Sequence, residues 1–336
     1  MPQFNEYRIP AKRVSSLCWL GDKLVDWVGG GASYALDGTV TERPVHYGYR
    51  FDAAIVSPSG QYAVIYELLG TKGLLLKDGK ILRELNRSYY HAEVYEYPIT
   101  FIRQADGREL LAHCPNDYCR IDIEDIETGD CLTQSATRKP EDFFHSRLAC
   151  DASGQRLLSA GWVWHPWDVI ALYDVQQALT EPTTLDGTGI APSTGAEICS
   201  AVFADNETLV LLTSKETNDG GKADDSDPLW SAGPNAIVYY DVTTQKCLSV
   251  SGAEELVGRC MPVDRNSLVG FYESPKLFDS LTGKVTHRWP QLKTGKQASS
   301  IIWGDGVPPT FAIDTQKKRF AVAGDEEITV IEIVTE

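Results

Sequence analysis

Along this chain short apolar runs recur between polar turn clusters, and the clusters repeat at a near-constant distance. They read Pro58-Ser59-Gly60-Gln61, Ala105-Asp106-Gly107-Arg108, Ala152-Ser153-Gly154-Gln155, Ala204-Asp205-Asn206-Glu207, Asp264-Arg265-Asn266-Ser267 and Asp314-Thr315-Gln316. Counted from the third residue of each copy, Gly60 to Gln316, the intervals are 47, 47, 52, 60 and 50 residues. Each copy is followed by an apolar run such as residues 62–66 or 209–212. A period of this length is the spacing of propeller blades, each a small sheet that buries its faces only against its neighbours.

Within one period the signals keep a fixed order. After the turn and its apolar strand comes a further strand ending in an acidic residue and a tight turn, then a last run. The copies are Leu76-Lys77-Asp78-Gly79-Lys80, Glu127-Thr128-Gly129-Asp130-Cys131-Leu132, Tyr240-Asp241-Val242-Thr243-Thr244-Gln245-Lys246 and Phe278-Asp279-Ser280-Leu281-Thr282-Gly283-Lys284. Gly, Asn and Asp at these points are expected to supply the positive φ that tight hairpins need. Each unit reads as strands A, B, C and D of an antiparallel blade. Seven units fit, the first over residues 15–43 and the last over 310–334, which stops one strand short. Residues 5–11 have strand character without a partner and are expected to provide the missing outer strand. The expectation is an all-β, seven-bladed β-propeller of four-stranded antiparallel blades, its ring closed by the N-terminal strand. It forms one domain over residues 1–336, with a loop insertion at 215–234.

Period and turn chemistry together resemble the WD40-like and YVTN-like seven-bladed propellers over essentially the whole chain. Where the WD40 family ends strand C with Trp-Asp, this chain has Lys77-Asp78, Tyr173-Asp174, Tyr240-Asp241 and Phe278-Asp279. The aspartate is present and the tryptophan is not. The Gly-His that precedes strand A in that family is echoed by His46, His91 and His145.

Composition adds limits. The formal net charge of −16 disfavours nucleic acid and anionic membranes as partners, both of which require a positive surface. It suits either solubility alone or a basic partner. No apolar run approaches the roughly 20 residues that cross a bilayer, and the first residues lack a basic segment and apolar core, so the cytoplasm is the expected location and a monomer the expected state. The eight cysteines read mostly as small buried apolar residues of a reducing compartment, with Cys18, Cys150 and Cys199 in A strands. Cys114 and Cys119 flank a hairpin without a second ligand pair, so no metal is expected there. The acidic stretch at 218–227 lacks the spacing of an EF-hand calcium loop. No cofactor is expected.

Strand direction locates the working face. A-to-B and C-to-D connections share one face and are minimal; B-to-C and D-to-A connections share the other and carry the elaboration. Candidate partner-binding residues lie there: His46, Tyr47 and Tyr49; Tyr90, His91 and Tyr95; Phe144, His145 and Arg147; Trp162, Trp164, His165 and Trp167. Trp, Tyr and Arg are enriched at interface hot spots. The alternative for the tryptophans is packing between blades, and for the histidines bracing of the turn before strand A. The expected function is a non-catalytic interaction propeller that binds another protein through this aromatic face, as an inhibitor or immunity-type partner of a basic protein would. The alternative is a propeller hydrolase of lactonase or glycosidase type, using Glu93, Glu96, Asp142 and Glu197 at the channel mouth.

Overall fold

The computed structural model describes residues 2–43, 45–192, 194–217, 229, 232–302 and 308–334. Most of the expected insertion, residues 218–228 and 230–231, lies outside the described residues. Seven antiparallel sheets are arranged as the blades of a propeller. Blade 1 comprises Cys18–Leu20, Lys23–Asp26, Ala32–Ala35 and Val40–Thr41, and blade 2 Ala53–Val56, Tyr62–Tyr66, Lys72–Lys77 and Lys80–Asn86. Blade 3 has Ile99–Arg103, Glu109–His113 and Asp122–Asp125, and blade 4 has Ala149–Cys150, Arg156–Val163 and Trp167–Asp174. Blade 5 is Ala196–Phe203, Thr208–Thr217, Ala236–Asp241 and Lys246–Gly252. Blade 6 is Cys260–Asp264, Ser267–Gly270, Lys276–Asp279 and Val285–Arg288. Blade 7 joins Phe311–Asp314, Arg319–Ala323 and Glu327–Val334 to the N-terminal strand Gln3–Pro10.

The B and C strands are apolar on both faces because each blade lies between two others. Successive side chains point to opposite sides of a strand. Val64 therefore packs toward blade 3 while Ala63 and Ile65 pack toward blade 1. Leu209 and Leu211 face blade 4, whereas Val210 and Leu212 face blade 6. Among the described residues this yields one apolar cluster in each of the seven gaps between blades. Helical patterning could not produce that distribution.

Among the described residues five blades have four strands, and in the other two the outer place is filled differently. In blade 3 the D strand shrinks to a single bridge, Glu124 to Cys131. In blade 4 a short helix, Val175–Thr180, takes its place. Asp174 caps it by accepting a hydrogen bond from Gln177 N at 2.9 Å. Pro182 opens a 3-10 turn that returns the chain to Gly189, bridged in parallel to Leu172. This covers an edge that would otherwise be open.

The turn chemistry is more specific than expected. After strand C of blades 3, 5 and 6, the terminal Asp125, Asp241 or Asp279 accepts two backbone N–H bonds, from residues two and three positions on, at 2.8–3.1 Å. The fourth residue on is left-handed: Gly129 (φ 75°), Gln245 (φ 54°) and Gly283 (φ 69°). In blades 5 and 6 the strand register shifts just before the turn, as a bulged hairpin requires. At the A-to-B turns, Gly60, Gly107 and Gly154 have positive φ, but Asn206 and Asn266 do not. There Asp205 and Asp264 hold the turn through their carboxylates instead.

Closure is as expected from the unpaired N-terminal segment, with the strand beginning two residues earlier. Gln3 to Pro10 pair antiparallel with Val334 to Glu327 without a register break. Phe4 packs against the blade 6–7 cluster and Ile9 against the blade 7–1 cluster. Arg319, buried on blade 7, donates to Asp314 at 2.9 Å, and to Asp22 at 3.1 Å and the Gly21 carbonyl in the first turn of blade 1. Its guanidinium lies 3.9 Å from the Trp19 ring centroid.

Deleting residues 1–12 removes this outer strand and bares apolar faces of blade 7, so the truncated protein should melt far below the full chain and aggregate. Unchanged melting and solubility would show the seam to be dispensable. A second expectation concerns Gln245, a side chain held where the equivalent turns have glycine. Gln245→Gly relieves a left-handed strain of about 1–2 kcal/mol, less the entropy glycine loses, and should raise stability by about 0.5–1 kcal/mol in denaturant titration. Destabilisation would refute that account of the turn.

Candidate binding face

Loops from opposite sides of the ring meet on the face that carries the B-to-C and D-to-A connections. Tyr90, His91 and Tyr95 come from the connection between blades 2 and 3, and Tyr118 from within blade 3. Phe144 comes from the connection between blades 3 and 4, Trp162 and Trp164 from the blade 4 hairpin, and Ile301 from the connection between blades 6 and 7. Two bridges lock the floor, Phe144 to Trp162 and Tyr95 to Ile301. Phe144 N donates to Trp162 O at 2.8 Å, and Trp162 N donates to Phe144 O at 3.2 Å.

The rings form a column. Trp162 stacks on Phe144 with centroids 3.8 Å apart and planes at 8°, and Phe144 stacks on Tyr118 at 4.2 Å. Tyr90 continues it, 5.1 Å from Tyr118. Trp164 stands nearly perpendicular, its centroid 5.4 Å from each of Trp162, Phe144 and His91. Edge-to-face pairs at about 5.4 Å, as Trp164 makes with its neighbours, are among the favourable arrangements for aromatic rings. The lower members Tyr95, Phe144 and Trp162 are buried, whereas Tyr90 is 41% and Trp164 44% exposed. Tyr89 beside them is 85% exposed. His91, at φ 52°, turns the chain into the 3-10 segment Ala92–Val94 beneath. His165, at φ 79°, is the exposed tip of the blade 4 hairpin.

The thirteen candidate residues thus divide. Tyr90, His91 and Trp164 form the accessible surface of one cluster, and Tyr95, Phe144 and Trp162 are its buried support rather than contact groups. His145 does not reach the surface: it is buried, with Nδ1 3.1 Å from Ser159 Oγ, and burial drives its pKa down to about 3. It is a neutral brace. Arg147, also at positive φ, turns inward and donates to the carbonyls of Ala160 and Cys199 at 3.0 Å. His46, Tyr47 and Tyr49 lie on the connection between blades 1 and 2, where Tyr47 and Tyr49 contact Phe51 and not the Tyr90–Trp164 cluster. Trp167 is half-buried at the start of its strand. Tyr118, Tyr89 and Ile301 were absent from the candidates. Tyr118 sits in the hairpin read for its cysteines, and Ile301 arrives from a remote part of the chain.

Residues 297–302 cross the channel mouth. They belong to the connection between blades 6 and 7 and reach the loops of blades 2, 3 and 4. Gln297 Nε2 donates to Glu96 at 2.8 Å, Ser300 N donates to both Asp168 oxygens at 3.0–3.1 Å, and Ile302 N donates to Val94 O at 2.8 Å. The four carboxylates considered for hydrolysis have separate tasks here. Glu96 is ion-paired with Arg259; burial would raise its carboxyl, but Arg259 and Arg147 outweigh that and hold it below the usual range. Glu197 accepts from Asp168 N at 2.7 Å and Ser214 Oγ at 2.6 Å, and burial raises its pKa. Asp142 accepts from Tyr118 Oη at 2.7 Å, and Glu93 projects outward.

The fold and this face define the class: a seven-bladed β-propeller with an aromatic loop surface. Comparison with known protein families and with curated protein sequences finds no match for the chain.

Trp162→Ala empties a fully packed site and should cost about 3–5 kcal/mol, whereas Trp164→Ala, at a half-exposed position, should cost far less. Thermal melts of both variants measure the difference. Equal losses would place Trp164 in the core and remove it from the surface.

Proposed function

We propose that this propeller is a non-catalytic binding protein whose partner, another protein, seats on Tyr90, Trp164 and Tyr89. The observation that carries this reading is the prebuilt column: the exposed rings of Tyr90 and Trp164 rest on a buried aromatic stack beneath them. Rigid aromatic anchors lose little side-chain freedom on binding, so more of the contact energy is retained as affinity. Exposed carboxylates Glu93, Asp117, Glu141 and Asp142 lie on the same loops. Together with the net charge of −16 they favour a basic partner, as in an inhibitor or immunity-type pair. A monomer working in the cytoplasm is consistent with this reading.

The test is affinity capture with the wild-type protein and with a Tyr90→Ala/Trp164→Ala variant checked for unchanged melting. A protein retained by the first and lost by the second supports the face; equal retention refutes it. For a captured partner, the on-rate should fall steeply as salt shortens the screening length from about 30 Å at 0.01 M to about 8 Å at physiological strength, while the off-rate responds less. An on-rate indifferent to salt would leave the acidic surface to solubility alone.

A further inference from the structure

The channel is lined by charged as well as apolar side chains. Below the crossing segment, Tyr66 of blade 2, Glu96 and Arg259 stand where two cavities meet, of about 240 and 120 Å³. The larger is also lined by Arg147 and the smaller by Asp52. The larger cavity therefore meets Arg259, Arg147 and Glu96, and the smaller one Arg259, Glu96 and Asp52. Burying an ion pair is seldom better for stability than packed apolar residues of the same volume. A buried Glu96 paired with a partly accessible Arg259 at the meeting point of two cavities points to recognition.

The open hydrogen-bonding positions have a definite pattern. Glu96 Oε1 accepts from Arg259 Nη2 and Gln297 Nε2, and Asp52 Oδ1 accepts from Leu68 N at 2.7 Å. Among the described residues no hydrogen bond engages Glu96 Oε2, Asp52 Oδ2, Arg259 Nε and Nη1, or the Tyr66 hydroxyl. The Arg259 side chain is 36% accessible. Unused donors and unused acceptors thus face one charge-balanced space. A lone anion would be repelled by Glu96 and Asp52, and a lone cation by Arg259 and Arg147; a ligand bearing both charges meets both sets. Farther down, Ile55, Ile99, Leu148, Val202 and Ile313 make an apolar collar.

We propose that the channel binds an α-amino acid with an apolar side chain. Its carboxylate sits on the open side of the Arg259 guanidinium and the Tyr66 hydroxyl, its ammonium between Asp52 and Glu96, and its side chain in the collar. The site uses none of the exposed rings of the outer face, so it stands or falls independently of the partner reading.

The experiment titrates the wild-type protein by calorimetry and thermal shift with five six-carbon probes: L-norleucine, D-norleucine, hexanoate, hexylammonium and hexanol. L-Norleucine should bind saturably and raise the melting temperature. Hexanoate and hexylammonium should each bind at least about tenfold more weakly, the ratio for losing a hydrogen bond to a charged group, and D-norleucine more weakly than its enantiomer. Hexanol should show no saturable binding. A Glu96→Gln/Arg259→Gln variant, which leaves neither charge unpaired, should lose L-norleucine binding; if it does not fold, the wild-type series decides alone. Hexanoate or hexylammonium binding as tightly as L-norleucine overturns the proposal, as does equal binding of the enantiomers. So does a folded double variant that still binds, or no L-norleucine binding up to about 10 mM, where even millimolar affinity would register.

Discussion

Burial of every blade on both faces is the constraint on which the rest of this structure depends. A single blade here is apolar on both faces of its inner strands and has no polar side to turn outward; Tyr62–Tyr66 is buried along its whole length. Each sheet is one wall of two gaps, and all seven gap clusters are filled only when the ring is complete. The seam between the chain's two ends fills the two that flank blade 7, with Phe4 on one side and Ile9 on the other. That accounts for its reinforcement, in which a buried arginine ties blade 7 to the first turn of blade 1 while stacking on Trp19.

Alternation of strand direction carries this constraint to the candidate site. With short Asp-capped turns on one face, elaboration is confined to the other, and there the loops have no regular partner for their backbone or their rings. They find partners in each other. Two bridges and a stacked column fix five loops into one surface, and residues 297–302 tie the side of blade 6 to blades 3 and 4 across the channel. The aromatic surface and the charged channel are thus neighbours above and below the same crossing segment. They offer different chemistry: broad apolar contact outside, and paired donors and acceptors within.

Much of the fold was legible in the chain because its signals are local. Gly60, Gly107 and Gly154 mark turns that need left-handed backbone, and Asp125, Asp241 and Asp279 mark turns that their own carboxylates close. Strand order, blade number and the closing N-terminal segment follow from such marks and from runs apolar at every position. The outer places of blades 3 and 4 were not legible. There a bridge and the helix Val175–Thr180 replace a strand, a choice set by how the edge packs against its neighbour.

For the site, the sequence determined which residue types the elaborated loops carry and that they share one face. It could not separate Trp164 from Trp162, or His91 from His145, because exposure at these positions depends on which distant loop lies underneath. Tyr95 is buried by Ile301, and Glu96 meets Arg259, through contacts between residues about 160 to 200 positions apart in the chain. Local patterning carries no information about such contacts. Ring closure alone brings them together, so only the tertiary structure decided which rings face solvent and which charges face the channel.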